Sequence, residues 1–563
     1  MIYALGTSDV EHVCPSDGET RMEPTEHTAP DVPLHEQPEV HARRWLILSV
    51  MCLSLVLVVM AVSGLNVALP TLQQDLGASG TQLLWIVAAY AIVFAGLLLT
   101  AGAIGDKYGR KGALEAGLVV FAIGAIVAAV GSSAVQVTAG RAVMGAGAAF
   151  IMPATLSIIS VVFPPEERFK AIAIWAGFAG AGGAIGPIIS GLLLTGWWII
   201  PQFGWPATFL VNVPVIVLVL VAVAAVAPKS RESVSTPLDP VGGGISIVGI
   251  SALLFAIIEG PELGWLSPVV LGSFAAAAVI AVIFVWWELR TEYPILPMSF
   301  FRKRRFSVGS GVITLVFFIL FSFFLLQTLY LQFVLGYSPL EAGVATLPMA
   351  LAIVLVAPRT ASLGARFGTG AVMAAGFVIV AGGLAWLTTV STSTTYPNLV
   401  VAFVLLGTGL ALTSAPATGN IITSVPSDKA GVGSAMNDTT RELGGAIGIA
   451  AGGSLVATIY SATIDLTSYG LPPAADDAAS ESIGGALGVA AGIGGETGSQ
   501  IVLAAREAFT TAFVGTMGIF VVVALLAAVA TWWSMRGHDT EPASHSGDAS
   551  QPGASSPSRQ TEK

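Results

Sequence analysis

Asp106, Lys107, Arg110 and Lys111 fall within six residues of one another, in GAIGDKYGRKG from Gly102 to Gly112, between two long apolar runs of a chain only 10% charged. The three bases could simply hold a loop on one side of a membrane, and for Lys107 that reading suffices. It does not suffice for Asp106. An acid adds nothing to such retention, and its place among bases points to an ion pair that sliding helices could break. Arg141, inside the apolar GRAVMGAG, is costly there unless it snorkels to an interface or faces a cavity that forms part of a pathway. Glu259, at the end of another apolar run, is a carboxylate that burial or a neighbouring charge could tune toward proton exchange near neutrality. Asp75, Glu115, Glu288 and Glu442 also border apolar runs and read as helix-end residues in contact with water. These residues suit proton movement and switchable ion pairing better than bond-breaking chemistry. No Gly-Lys-Ser/Thr phosphate loop points to ATP as the driving force. The two cysteines, Cys14 and Cys52, support neither a disulfide framework nor a metal cluster. The expectation is a protein that is not an enzyme, with no cofactor, no metal and no nucleic-acid partner.

The elements that must position these charges follow from composition. At 54% hydrophobic residues and a mean hydropathy of +0.81, 563 residues carry too much apolar surface for a globule in water. Apolar stretches of about 18 to 25 residues recur along the chain, each long enough to cross a hydrocarbon core of about 30 Å as a helix. Helices satisfy their own backbone hydrogen bonds in lipid, so the expected fold is an all-α polytopic membrane protein. Fourteen spans are expected, beginning near Trp45, Gln82, Gly112, Val135, Lys170, Pro206, Gly242, Pro268, Ser307, Leu340, Gly370, Leu399, Thr440 and Phe509. The seventh and tenth runs are short and broken by Gly or Pro, which leaves twelve open on apolar length alone. Basic residues favour fourteen. If the first span leaves the cytoplasm, the odd-numbered loops lie outside, and of 24 Lys and Arg only Arg506 falls in one of them. The even-numbered loops hold Lys107, Arg110 and Lys111, Arg168 and Lys170, Lys229 and Arg231, Arg302 to Arg305, Arg359 and Arg366, and Lys429. One missed or invented span would put every later loop on the wrong side. Both termini are therefore expected in the cytoplasm.

An internal repeat organises the spans. PATLSIIS from Pro153 returns as PATGNIIT from Pro416, GGAIGP from Gly182 as GGAIGI from Gly444, and, more weakly, IGDKYG from Ile104 as LGARFG from Leu363. The offsets of 263, 262 and 259 residues match spans one to six with spans nine to fourteen. The expected domains are a disordered cytoplasmic tail over 1–44, a six-helix bundle over 45–228, a linker with helices seven and eight over 229–306, and a second six-helix bundle over 307–535. That second bundle carries a long outer loop over 461–508, and a disordered tail over 536–563 ends the chain. The net charge of −10 resides largely in the first 42 residues, so no acidic partner is needed to explain it. That charged, Pro-rich lead also argues against a cleaved signal peptide. Pseudo-symmetric halves with a site at their interface are a common construction of secondary transporters.

Gly102, Asp106, Gly109, Arg110 and Lys111 resemble the loop signature of the major facilitator superfamily, at the loop between spans two and three where that family places it. Gly182, Gly186, Pro187 and Gly191 in span five are similar to the antiporter signature, and Arg141 to a third motif. With NVALP from Asn66, RELGGAIGIA from Arg441 and PILPMSFFRKRRF from Pro294, the chain resembles the fourteen-span drug:proton antiporter branch across roughly Trp45 to Trp533.

The resemblance implies that Asp106 and Arg110 latch the two halves in the outward-facing state, with Gly102 and Gly109 permitting the close approach and turn. It implies that the span-five residues help seal the path against leak, although tight packing alone would also explain them. It implies, too, a part for Arg141 in proton transfer or substrate contact. The chain departs from the branch at Ala61, where span one commonly carries an acid, which leaves Glu259 as the best alternative proton site. Asn66, Phe321, Gln327, Tyr330 and Arg441 are the expected pocket residues, in a wall suited to an apolar ligand with a few polar handles. The implied activity is export of lipophilic drugs or related small molecules by proton antiport with alternating access. Export of a cell-envelope lipid, glycolipid or secondary metabolite is the alternative. The implied setting is the bacterial inner membrane, with a lipophilic substrate, protons and the lipid bilayer as partners and the monomer as the working unit.

Overall fold

The computed structural model describes residues 34–196, 201–230, 239–425 and 430–536. Arg231 and Lys429 of the expected even-numbered loops, most of the N-terminal tail and nearly all of the C-terminal one lie outside the described residues. Besides short 3-10 turns, sixteen helices follow one another, with no strand among the described residues. They are α1 (Pro38–Leu76), α2 (Gly80–Tyr108), α3 (Arg110–Ala129), α4 (Ala134–Val162), α5 (Pro165–Thr195) and α6 (Pro206–Val226). An inserted pair comes next, α7 (Pro240–Leu263) and α8 (Pro268–Glu288). The chain continues with α9 (Arg304–Val334), α10 (Pro339–Phe367), α11 (Thr369–Leu387), α12 (Tyr396–Thr423) and α13 (Ala430–Thr463). The last three are α14 (Pro473–Glu481), α15 (Ile483–Ile493) and α16 (Gly495–Met535). Thirteen helices among the described residues are long and apolar enough to cross a membrane, and the 31-residue α5 stands in order between two of them. The fourteen spans are thus α1 to α13 and α16.

The repeat seen in sequence is a repeat of packing. α1 packs on α5 as α9 packs on α13; α2 and α3 pack on α4 as α10 and α11 pack on α12; α3 meets α6 as α11 meets α16. The two bundles join through α2 against α13 and α5 against α10, and α7 lies along the first seam, on α2 and α13. Glycines explain why the repeated sequence had to be GGAIG. A Cβ on Gly186 of α5 would stand 2.6 Å from the Met60 carbonyl oxygen of α1, and one on Gly182 would stand 3.1 Å from the Val56 carbonyl oxygen. Their counterparts Gly444 and Gly448 of α13 press on the backbone of Thr314 and Phe318 of α9, where a Cβ would collide. Four-residue spacing puts each pair on one helix face, so two helices approach backbone to backbone in a medium that offers no hydrophobic drive between them.

Three boundaries differ from the sequence expectation. α1 starts at Pro38, so residues 38–44 of the expected tail are helical; Pro38 stands at its first turn, with Glu39 beside it, and Arg44 pairs with Glu167 of α5 at 2.8 Å. α13 starts at Ala430 rather than near Thr440, which places Glu442 well inside a span instead of at its end. The outer loop is largely helical: α14 and α15 fold over the bundle, and α16 begins at Gly495, fourteen residues before Phe509. In the turn before α14, Asp465 accepts hydrogen bonds from Thr467 Oγ1 (2.6 Å) and N (3.1 Å), which hold its carboxyl below the usual carboxylate range.

Candidate functional site

Two ends of the bundle differ in chemistry. The end where α1 begins carries Lys107, Arg110, Lys111, Lys229, Arg302 to Arg305, Arg359 and Arg366; the opposite end carries α14 and α15. Among the described residues, every side-chain hydrogen bond between the two six-helix bundles lies at that opposite end. Gln332 Nε2 of α9 donates to Val67 O of α1 (2.9 Å), and Leu340 N of α10 donates to Thr195 Oγ1 of α5 (3.3 Å). Gln73 Nε2 donates to Ser482 Oγ (3.1 Å), and Gly80 N at the start of α2 donates to Glu481 Oε1 (3.1 Å). Ser482 also caps α15 through Gly485 N, so one hydroxyl both ends a helix and ties the bundles together. Gly191 and Pro187 of α5 sit against Leu340 and Gly343 of α10 so closely that a Cβ on Gly191 would be 2.6 Å from Leu340 Cα. The span-five residues thus split their duties: Gly182 and Gly186 seat α1, while Pro187 and Gly191 meet the other bundle.

The latch residues are paired, but within one bundle. Asp106 Oδ1 accepts from Arg110 Nε (2.7 Å) and from Ser157 Oγ of α4 (3.0 Å). Arg110 N donates to Ser230 O (3.0 Å), and Lys111 Nζ donates to Ala224 O (2.9 Å) and Ala227 O (3.1 Å). Gly109 takes φ +122° between α2 and α3, a turn that side chains resist, and Gly102 lies against Pro153. Lys107 lies over the Tyr108 ring at 5.4 Å.

Inside the spans stands a second group of charges. Arg141 is fully buried on α4; its Nε donates to Ile86 O of α2 (3.2 Å), its guanidinium lies 4.4 Å from the Tyr90 ring centre, and its Nη1 is buried without an acceptor. Tyr90 Oη is likewise buried and unpartnered. Across the seam, Glu442 of α13 lies within electrostatic reach of Tyr90. One turn before it, Asp438 Oδ1 stands 3.9 Å from Arg441 Nη1, and Arg441 caps the Phe317 ring at 4.7 Å. Arg141 beside Tyr90 in one bundle, and Asp438, Arg441 and Glu442 in the other, therefore put two bases and two acids inside the spans. Isolated charges there would be expensive, so their company is the favourable arrangement.

The remaining expected residues are dispersed. Glu259 accepts from Trp85 Nε1 (2.8 Å) at the α2–α7 contact, away from Arg141. Phe321 meets Phe317 edge-on at 5.6 Å and covers Gly445. Asn66 is half-buried on α1. Gln327 is buried with neither amide atom hydrogen-bonded. Tyr330 is turned into its own bundle, donating to Ser391 O (2.6 Å) and stacking on Phe513 at 4.9 Å. Sequence reasoning passed over Asp438, Tyr90 and the depth of Glu442. Spacing was the available signal: Asp438, Arg441 and Glu442 recur at three and four residues, one face of a helix.

The sequence model of the Major Facilitator Superfamily matches residues 51–449. The chain is 35% identical to the multidrug efflux pump LfrA of Mycolicibacterium smegmatis over 86% of its own length and 95% of that protein. It is 33% identical to the methyl viologen resistance protein SmvA of Salmonella typhimurium (88% and 98% covered) and 31% identical to the tetracenomycin C resistance and export protein of Streptomyces glaucescens (74% and 77%). In fold it is similar to the crystal structure of a bacterial homologue of the human lysosomal transporter Spinster, inward-facing and unoccupied, with a TM-score of 0.62 at 16% identity over 89% of this chain and 99% of that one.

Proposed function

Because the chain belongs to the major facilitator superfamily, we propose that it exports lipophilic drugs or related small molecules from the bacterial cytoplasm, exchanging them for protons by alternating access. The names of its relatives as multidrug and antibiotic efflux pumps support the substrate class. The observation that carries the mechanism is the charge cluster at the seam, in a molecule closed at one end. With the basic end in the cytoplasm, as retention of Lys and Arg requires, the closed end is the outer one and the structure is the state that loads substrate from inside.

Proton exchange needs a group that gains and loses charge as access alternates. Ala61 cannot, and Arg141 stays charged, so the acids of α13 take that role: Glu442 first, with Asp438 beside Arg441. Arg141 then competes for, or tunes, those acids across the seam, and its unpartnered Nη1 is the free hand with which it does so. Glu259, held by Trp85 at the α2–α7 contact, acts on the seam rather than in the cavity. The Streptomyces relative favours, as a second reading, export of a secondary metabolite by the same cycle.

Efflux from proteoliposomes under an imposed pH gradient tests this. Wild type follows the gradient, and Glu442→Gln and Arg141→Ala lose the coupling at matched protein levels. Arg141→Lys restores it only in part, because a point charge lacks the planar fork that stacks on Tyr90. Wild-type efflux indifferent to the gradient would refute proton exchange.

A further inference from the structure

A cavity of about 140 Å³ lies at the closed end, apart from the charge cluster. Its walls come from α1, α2, α7, α9, α13 and α16, and its roof is Glu481 to Ile483 between α14 and α15. Leu84 on its wall is six residues from Tyr90, and Val456 is fourteen from Glu442, roughly 9 Å and 21 Å along their helices. Leu84 crosses the seam to fill the notch at Gly453, where any Cβ would meet it. The lining is chiefly apolar, with the Phe509 and Tyr460 rings among its members. Its only charged members are Glu262, exposed at the rim, and Glu481, whose Oε1 is the acceptor for Gly80 N; the lining contains no Lys, Arg or His.

We propose that this closed-end cavity is a second binding site, for a lipophilic organic cation, and that occupancy holds the closed end shut. An apolar body fits the aliphatic walls, aromatic faces accept a cation, and the carboxylates at rim and roof set the sign of charge. The effect on access follows from the walls. They belong to both bundles and to α7, so the cavity exists only while the bundles meet at this end, and a ligand that binds one state shifts the population toward it. The effect on export rests on the exporter reading, but the binding does not.

The probe is tetraphenylphosphonium, its equilibrium binding measured on the purified full-length chain in nanodiscs. Glu442→Gln, which alters the central cluster, retains a tetraphenylphosphonium site. Glu262→Gln weakens that site roughly three- to fivefold, as loss of one partly exposed charge would. Ala457→Phe, which fills the cavity, removes it while size-exclusion and thermal unfolding profiles stay those of a folded protein. A disulfide between Gly80→Cys and Ser482→Cys, with Cys14→Ser and Cys52→Ala, locks the end shut and leaves binding at least as tight as in the reduced form. Triphenylphosphine oxide, similar in shape and neutral, binds more weakly than the cation. Wild-type affinity in both Glu262→Gln and Ala457→Phe, or loss of the site in the locked form, would overturn the proposal. Drug efflux without this site would sink the proposal alone, and the site without efflux would sink the exporter reading alone.

Discussion

Asp106 shows how much one carboxylate carries. Its Oδ1 gathers Arg110 and Ser157, so in this state it braces α2, α3 and α4 rather than the two bundles. If the opposite state recruits this group across the seam, Asp106→Asn keeps the shape, weakens both partners and slows the cycle without preventing insertion. Export rates at matched membrane levels check this, and an unchanged rate removes the latch role. The motif was legible in sequence because its spacing is local. Its present partner Ser157 was not, since it lies 51 residues away on a helix whose rotation no local pattern reports.

At the scale of elements, glycine decides where helices may touch. Gly448→Val would drive side-chain atoms into the Phe318 backbone on α9, so α13 must shift or rotate; we expect a loss of about 1–3 kcal/mol, read as a fall in the thermal midpoint in detergent. Gly488, inside α15 with nothing near its missing Cβ, is the contrast. Gly488→Ala should raise the midpoint slightly, by the ~1 kcal/mol that alanine gains over glycine in a helix. Equal effects of the two would show that α13 does not depend on its glycine face. The GGAIG repeat was visible in the sequence, but a string cannot say that both copies serve the same contact. That required the paired helices, α1 with α5 and α9 with α13, to be seen together.

For the whole molecule, closure at one end is the property to test. A Cβ on Gly80 would stand 3.4 Å from Ser482 Cβ, near the separation a disulfide spans. Gly80→Cys with Ser482→Cys, in a background freed of Cys14 and Cys52, should therefore cross-link on oxidation, stop export, and recover with reductant. Export that continues when fully cross-linked would mean that the two bundles need not part there. Orientation is checked separately: cysteines at Ser133, Gly204 or Thr394 should react with an impermeant thiol reagent on intact cells, and one at Ser230 should not.

The sequence by itself determined the number of spans, the doubling, the inserted pair and the sidedness of charge, because each is written in runs of about twenty residues that match the thickness of lipid. Only the tertiary structure decided which end is closed, which partners the charges keep, and that Glu442 is deep rather than terminal. Hydropathy reads a helix as if lipid surrounded it. α13 presents Asn437 and Arg441 to other protein instead, to Thr418 and Phe317, so its charged first turns fall below the apolar signal that marks a span. The cost of those charges is met in part by partners on other helices, the Phe317 ring for Arg441 and Thr418 for Asn437, and only the packed bundle brings such partners within range.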